Sequence, residues 1–192
     1  MDSKFIDAVQ SKKLVRVRLA LSNELMLDPR GVTFSEMLRY AESNLSSLYQ
    51  DDDGKIYDNE KSKWSEDFLY DLKNGLDLNF SREKLALYEA VAKFVLREKA
   101  KQIIPQKVEY YSEIMGVKPI AVKINSAKKR YGSCSGKNSL NFSLYLMDKE
   151  EDFIDYVVVH ELAHIKHHNH SKDFYKFIEG FMPDYKERMK LK

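Results

Sequence analysis

The sequence predicts an α+β fold in which a small β-sheet packs on one functional helix, with a mostly helical region before it. Three observations indicate this class. Apolar residues recur at helical spacing through most of the chain, apolar and polar residues alternate over 139–146, and all five histidines lie between His160 and His170. A chain of 192 residues suits one large domain, or one domain with a sizeable extension. Its net charge of +2 indicates neither a nucleic-acid-binding protein nor a protein that binds anionic membranes.

We expect residues 1–80 to form a partly helical N-terminal region of unassigned role. Residues 13–20 alternate apolar and basic side chains, which predicts a half-buried strand. A turn at residues 29–31 precedes a helix predicted over 33–49. A second helix begins near Trp64, and Gly75 is expected to end it because glycine commonly terminates helices.

We expect residues 81–192 to form the second domain. Ser81 is placed to cap a long helix, and Pro105 is expected to break or kink it because proline lacks an amide hydrogen. A following helix ends at Gly116. A strand is predicted over 119–125.

The C-terminal part of the second domain begins with a strand predicted over 139–146. Asp148 and Glu151 resemble a capping box, which predicts that the histidine-bearing helix starts at Asp148. Ser171 is placed to cap a last helix.

The histidine cluster contains the motif His-Glu-x-x-His at residues 160–164. Residues four apart lie on one face of a helix, so His160 and His164 can bind one metal ion while Glu161 acts as a general base. The alternative is an ordinary histidine pair in a core or on a surface. The apolar run at 156–159 buries the helix and favours the metal site.

The third ligand has two candidates on sequence grounds. His170 lies six residues after His164, beyond a break expected at Asn169, which tolerates a left-handed turn. Glu179 in the last helix is the second candidate. We expect His167 and His168 to lie at the solvated end of the helix.

A basic segment at 128–137 lies between the two predicted strands. It can bind an anionic substrate or form a solvated hairpin, and Arg130 can instead support the site from behind. Cys134 is expected to be a small buried residue, with a fourth metal ligand or a redox switch as alternatives. The strand at 139–146 can serve as an edge for an extended peptide or as a core strand.

Three features that the sequence lacks bear on its cellular location. A single cysteine cannot form an internal disulfide, the N-terminus lacks a signal-peptide pattern, and no apolar run is long enough to span a membrane. We therefore expect a cytoplasmic protein that binds neither nucleic acid nor membrane. The sequence does not indicate an oligomeric state.

Four ordered blocks carry a resemblance to a known family. They have the sequences RYGSCS at 130–135, LNFSL at 140–144, IDYVVVHELAH at 154–164 and NHSKDF at 169–174. From about Ser81 to its end, the chain resembles the YgjP-like metallopeptidase family, which is related to the SprT and WLM zincin-like domains. Tyr131 and Tyr175 depart from it, since tryptophan is usual at both positions. The N-terminal half is often strand-rich in the family, whereas residues 33–75 of this chain are predicted to be largely helical.

The resemblance implies a zincin-like domain with its small sheet packed on the HExxH helix. It implies Zn²⁺ held by His160, His164 and His170, with Glu161 catalytic, in a zinc-dependent hydrolase. We expect the substrate to be a peptide or protein. The alternatives are a metal-dependent nucleotide pyrophosphatase, which the basic segment favours, and a non-catalytic zinc-binding module.

Overall fold

The computed structural model describes residues 1–58 and 60–192. The chain divides into two compact units, Met1–Val95 and Leu96–Lys192. The predicted division at residue 80, into a region of unassigned role and a hydrolase domain, stays a prediction. None of the helices in the described ranges has the length and apolar character that a membrane crossing requires.

The first unit is built from helices α1 (Ser3–Gln10), α2 (Leu14–Leu27), α3 (Val32–Asn44) and α4 (Glu66–Leu78), with a 3-10 turn at Lys61–Lys63. The strand predicted over 13–20 is wrong, because this segment lies in α2. Val17, Leu21 and Leu25 are buried while Val15 is exposed, so burial follows the helical period.

Helix α4 continues three residues beyond Gly75, so the predicted end there is wrong. Gly75 is buried, and the Tyr57 hydroxyl occupies the space that a β-carbon at this position would fill. Glycine is therefore required here for close packing, and it does not terminate the helix.

Helix α5 (Arg82–Met115) begins as predicted, since the Ser81 hydroxyl accepts a hydrogen bond from the Lys84 amide at 3.3 Å. The predicted break at Pro105 is wrong, because the helix continues through it. Pro105 is exposed, whereas Ile104 and Val108 are buried in the core of the second unit. Their packing offsets the roughly 3 kcal/mol that an internal proline costs. The helix ends before Gly116, which has a left-handed φ of +61°.

The sheet of the second unit contains β1 (Ala121–Asn125), β2 (Gly132–Cys134) and β3 (Ser139–Ser143) in the order β1-β3-β2. β1 is parallel to β3 and β2 is antiparallel to it. The strand predicted over 139–146 ends at Ser143 because Leu144–Asp148 forms a fully packed 3-10 turn. β3 is central, so it has no free edge for a peptide.

The C-terminal helices are α6 (Glu151–Ala163), α7 (Lys172–Phe181) and α8 (Tyr185–Arg188), followed by a 3-10 turn at Met189–Leu191. The capping box predicted at Asp148 is wrong, since α6 begins at Glu151 after a cap residue, Glu150, that makes no side-chain bond. β2 packs against α6. The α+β fold with a small sheet on the histidine-bearing helix is therefore confirmed.

Candidate metal centre

Helix α6 positions the first part of the site. It is buried on most sides, at Phe153, Ile154, Tyr156, Val157, Val158, Val159, Glu161, Leu162 and Ala163. This packing fixes the helix against the core, so the side chains of its last turn have defined positions. His160 and Glu161 lie in that turn, and His164 is the C-terminal cap residue.

His170 reaches the site from the short turn between α6 and α7. The chain leaves the helix at His164, earlier than predicted, and Asn169 is not left-handed. Ser171 caps α7 as predicted, with its hydroxyl accepting the Phe174 amide at 3.4 Å. The expected break at Asn169 is therefore wrong, although the chain still turns back.

The three predicted ligand histidines converge. One nitrogen from each of His160, His164 and His170 lies within 4.8 Å of the other two, and the Nε2 atoms of His160 and His170 are 3.0 Å apart. Two nitrogens that bind one tetrahedral zinc ion at about 2.0–2.1 Å lie about 3.3 Å apart. The spacing thus fits a small tetrahedral metal ion.

Two other candidate ligands are not part of this group. Within the described residues, the potential ligand atoms that meet here include neither Cys134 Sγ nor a Glu179 oxygen. Glu179 is exposed on α7. The geometry brings His170 to the site and leaves Glu179 outside it.

Phe174 forms the apolar floor of the site. Its ring is fully buried, and its centroid lies 5.0 Å from His160, 4.6 Å from His164 and 4.9 Å from His170. One side chain therefore packs against all three imidazoles, and rotation of any of them is restricted.

Burial favours the neutral form of His160 and His164, which is the form that binds a metal ion. Burial, with smaller contributions from His164 and His170, lowers the pKa of His160 to about 3. Burial also lowers the pKa of His164. Nδ1 of His164 lies 3.0 Å from the His167 carbonyl, so it donates its proton there and leaves Nε2 free. His167, predicted at the solvated end of the helix, lies half-buried in the turn after α6, and its carbonyl orients the candidate ligand His164.

Glu161 lies beneath strand β2. Its side chain is 6% exposed, and burial raises its pKa to about 7, against the opposing effects of the Arg130 guanidinium and of a hydrogen bond from the Cys134 amide. A carboxyl group with a pKa near neutrality can both accept and release a proton at pH 7.

An open cavity of about 350 Å³ lies over these side chains. Residues 132–134 of β2 form one wall, and Glu161 with His160, His164, His168 and His170 forms the rest. Because β3 covers only one edge of β2, the wall is also an edge strand of the sheet. Burial raises the pKa of the Cys134 thiol, which makes it a weaker nucleophile.

The basic segment forms a turn beside the site, and hydrogen bonds hold this turn at both ends. Lys128, Lys129 and Arg130 are exposed just before β2. Ser143 holds both ends of this turn: its hydroxyl donates to the Ala127 carbonyl at 2.7 Å, and its amide donates to the Tyr131 carbonyl at 2.8 Å. The turn therefore presents three cations in a defined place beside the cavity wall.

The family model described as YgjP-like, metallopeptidase domain, matches residues 48–191. Among solved structures, the metallopeptidase zymogen of Pyrococcus abyssi abylysin is similar at 26% sequence identity. That match covers 46% of this chain and 90% of the other, with a TM-score of 0.42. The search of curated proteins gave no match.

Proposed function

Because this chain belongs to the YgjP-like metallopeptidase family, we propose that it is a zinc-dependent hydrolase that cleaves peptide bonds. Membership implies a divalent metal ion and a hydrolytic reaction. The observation that carries the finer proposal is the convergence of His160, His164 and His170 beside a buried carboxyl group, Glu161. Three protein nitrogens and one open position are the arrangement of catalytic zinc sites.

The zinc ion and the side chains have separate roles in the reaction. When bound, zinc supplies Lewis acidity that polarises a carbonyl and acidifies a water molecule. Glu161 accepts the proton of the attacking water and returns it to the leaving amide nitrogen. Burial raises its pKa to about 7 in the metal-free chain, and a bound cation favours the ionised form that accepts the first proton. Phe174 and the buried face of α6 hold the histidines still meanwhile.

The substrate proposal depends on the cavity wall. A peptide in extended conformation can pair with the free edge of β2, which places its backbone over Glu161. The edge predicted from sequence was the strand at 139–146, whereas the free edge beside the site belongs to β2.

The proposal is tested by zinc loading and peptide-library digestion. We expect the zinc-loaded protein to cleave peptides at defined positions, a chelator to stop cleavage, and added zinc to restore it. Elemental analysis should give one zinc per chain. Cleavage that persists in the metal-free protein would contradict the proposal.

The fixed basic turn favours a second candidate, hydrolysis of nucleotide phosphoanhydrides. Lys128, Lys129 and Arg130 would bind the phosphates. If nucleotides are the substrate, replacing Lys128 and Lys129 with Gln raises KM for nucleotides and leaves peptide cleavage unchanged. Arg130 is kept in this variant because its guanidinium also lowers the pKa of Glu161. A non-catalytic module needs a closed set of four ligands, and in the described chain only three side chains meet.

A further inference from the structure

Tyr156 lies one helical turn before His160 on α6, with its hydroxyl 3.3 Å from Nδ1 of that histidine. Its side chain is 7% exposed. We propose that Tyr156 is a positioning residue for the metal site, which fixes the tautomer and ring orientation of His160 so that Nε2 is available to bind the ion. This inference rests on the proposed metal site.

The tautomer is decided by what lies at Nδ1. A neutral histidine carries one ring proton, and it binds metal through Nε2 only when that proton is on Nδ1. His160 Nε2 already faces His170 Nε2 at 3.0 Å. A hydroxyl oxygen can accept from Nδ1–H, so the Tyr156 hydroxyl is in place to stabilise the form of His160 that binds the ion through Nε2.

The position of His160 within α6 explains why a side chain, and not a backbone carbonyl, accepts the proton of its Nδ1. Inside α6, the Tyr156 carbonyl is the i−4 acceptor for the His160 amide, so it is already engaged in the helix. His164 differs because it is the cap residue and has the His167 carbonyl as its acceptor. The two ligands of the motif thus have different acceptors, one from a side chain and one from the backbone.

The Tyr156 ring is held independently of its hydroxyl. It packs against Phe153, with ring centroids 6.1 Å apart, and against His160 at 5.6 Å. Phe153 in turn contacts Tyr131 edge to face. A phenylalanine at position 156 keeps these contacts and removes only the hydroxyl. Tyr156 does not line the cavity, which separates its role from contact with substrate.

The experiment compares wild type, Tyr156→Phe and the control Tyr88→Phe. Tyr88 is a buried tyrosine in the core of the first unit, whereas the three histidines lie in the second unit. Zinc affinity is measured by competition with a chromophoric chelator. We expect the dissociation constant to rise about 10- to 100-fold in Tyr156→Phe, the range for lost partners of ligand histidines. Tyr88→Phe should match wild type.

A second readout is independent of metal and of activity. Long-range ¹H–¹⁵N correlation spectra of the metal-free protein report which His160 nitrogen carries the proton. We expect the proton on Nδ1 in wild type and a mixture of tautomers in Tyr156→Phe.

Unchanged affinity together with an unchanged tautomer overturns the inference, and so does a wild-type protein that binds no zinc. A protein that binds zinc and shows the expected Tyr156→Phe effect, but cleaves no peptide, contradicts the proposed function alone.

Discussion

Gly132 and Glu161 are packed so closely that a β-carbon at position 132 would lie 2.6 Å from both Cγ and Oε1 of the glutamate. The backbone of β2 therefore lies directly on the carboxyl group, and the Cys134 amide of the same strand donates a hydrogen bond to it. Strand β2 thus positions the candidate base and forms the candidate substrate edge.

Replacing Gly132 with alanine should displace the Glu161 carboxylate without removing a ligand. We expect kcat to fall about 100-fold, the cost of moving a catalytic group by about 1 Å. Zinc content should stay at the wild-type value. The matched control is Gly136→Ala, because a β-carbon there meets nothing within 4 Å. Full activity in Gly132→Ala would contradict the prediction that kcat depends on the position of the Glu161 carboxylate under β2.

Replacing His170 with alanine should weaken zinc binding at least about 100-fold, because only two of three nitrogens remain. His168→Ala is the control, since His168 lines the cavity but is outside the ligand group. Isothermal titration with zinc measures both. Loss of zinc in Glu179→Ala, with retention in His170→Ala, would instead support the other candidate ligand.

Replacing Asp155 with asparagine should destabilise the second unit. Its carboxylate lies 2.6 Å from Lys107 and 3.6 Å from Arg188, and its side chain is only 14% exposed. We expect a loss of about 1–3 kcal/mol in the free energy of unfolding, because two cations lose part of their compensation. Asp152→Asn is the control: it shares Arg188 but is 59% exposed, so the cost should be below about 0.5 kcal/mol.

The contribution of Glu161 to the stability of the metal-free protein should fall as pH rises through its titration, while the lowered pKa of His160 acts in the opposite direction in wild type and in a Glu161 variant alike. The pKa of Glu161 is raised from 4.5 to about 7 in the folded chain, so the contribution present below pH 4.5 is lost between pH 4.5 and 7. Glu161→Gln should therefore be more stable than wild type above pH 7, by up to about 3 kcal/mol. Urea unfolding at pH 5 and pH 8 measures this difference. Equal stability of Glu161→Gln and wild type at pH 8 would show that the buried Glu161 carboxylate does not destabilise the fold.

Local spacing in the sequence was sufficient to predict the central part of the site. His160, Glu161 and His164 are fixed relative to one another by helical geometry, which sequence spacing specifies directly. The prediction for His170 needed only a chain reversal. The details of that reversal were wrong, because the helix ends at His164 and not at Asn169.

Contacts between distant segments could not be predicted in this way. Nothing near Gly132 in the sequence indicates that its missing β-carbon makes room for Glu161, and nothing near Phe174 indicates that its ring contacts all three histidines. In the fold, residues 13–20 form a helix despite their alternation, because tertiary packing buries Val17 and Leu21 on one face.

The central claim is metal-dependent hydrolysis with Glu161 as the base, and the most direct test is peptide-library cleavage by zinc-loaded Glu161→Gln beside zinc-loaded wild type. Glutamine keeps the shape of the side chain but cannot accept the proton. The account predicts equal zinc content in the two proteins, with cleavage by wild type and none detectable in the variant. Cleavage at the wild-type rate by a fully zinc-loaded Glu161→Gln protein would contradict it.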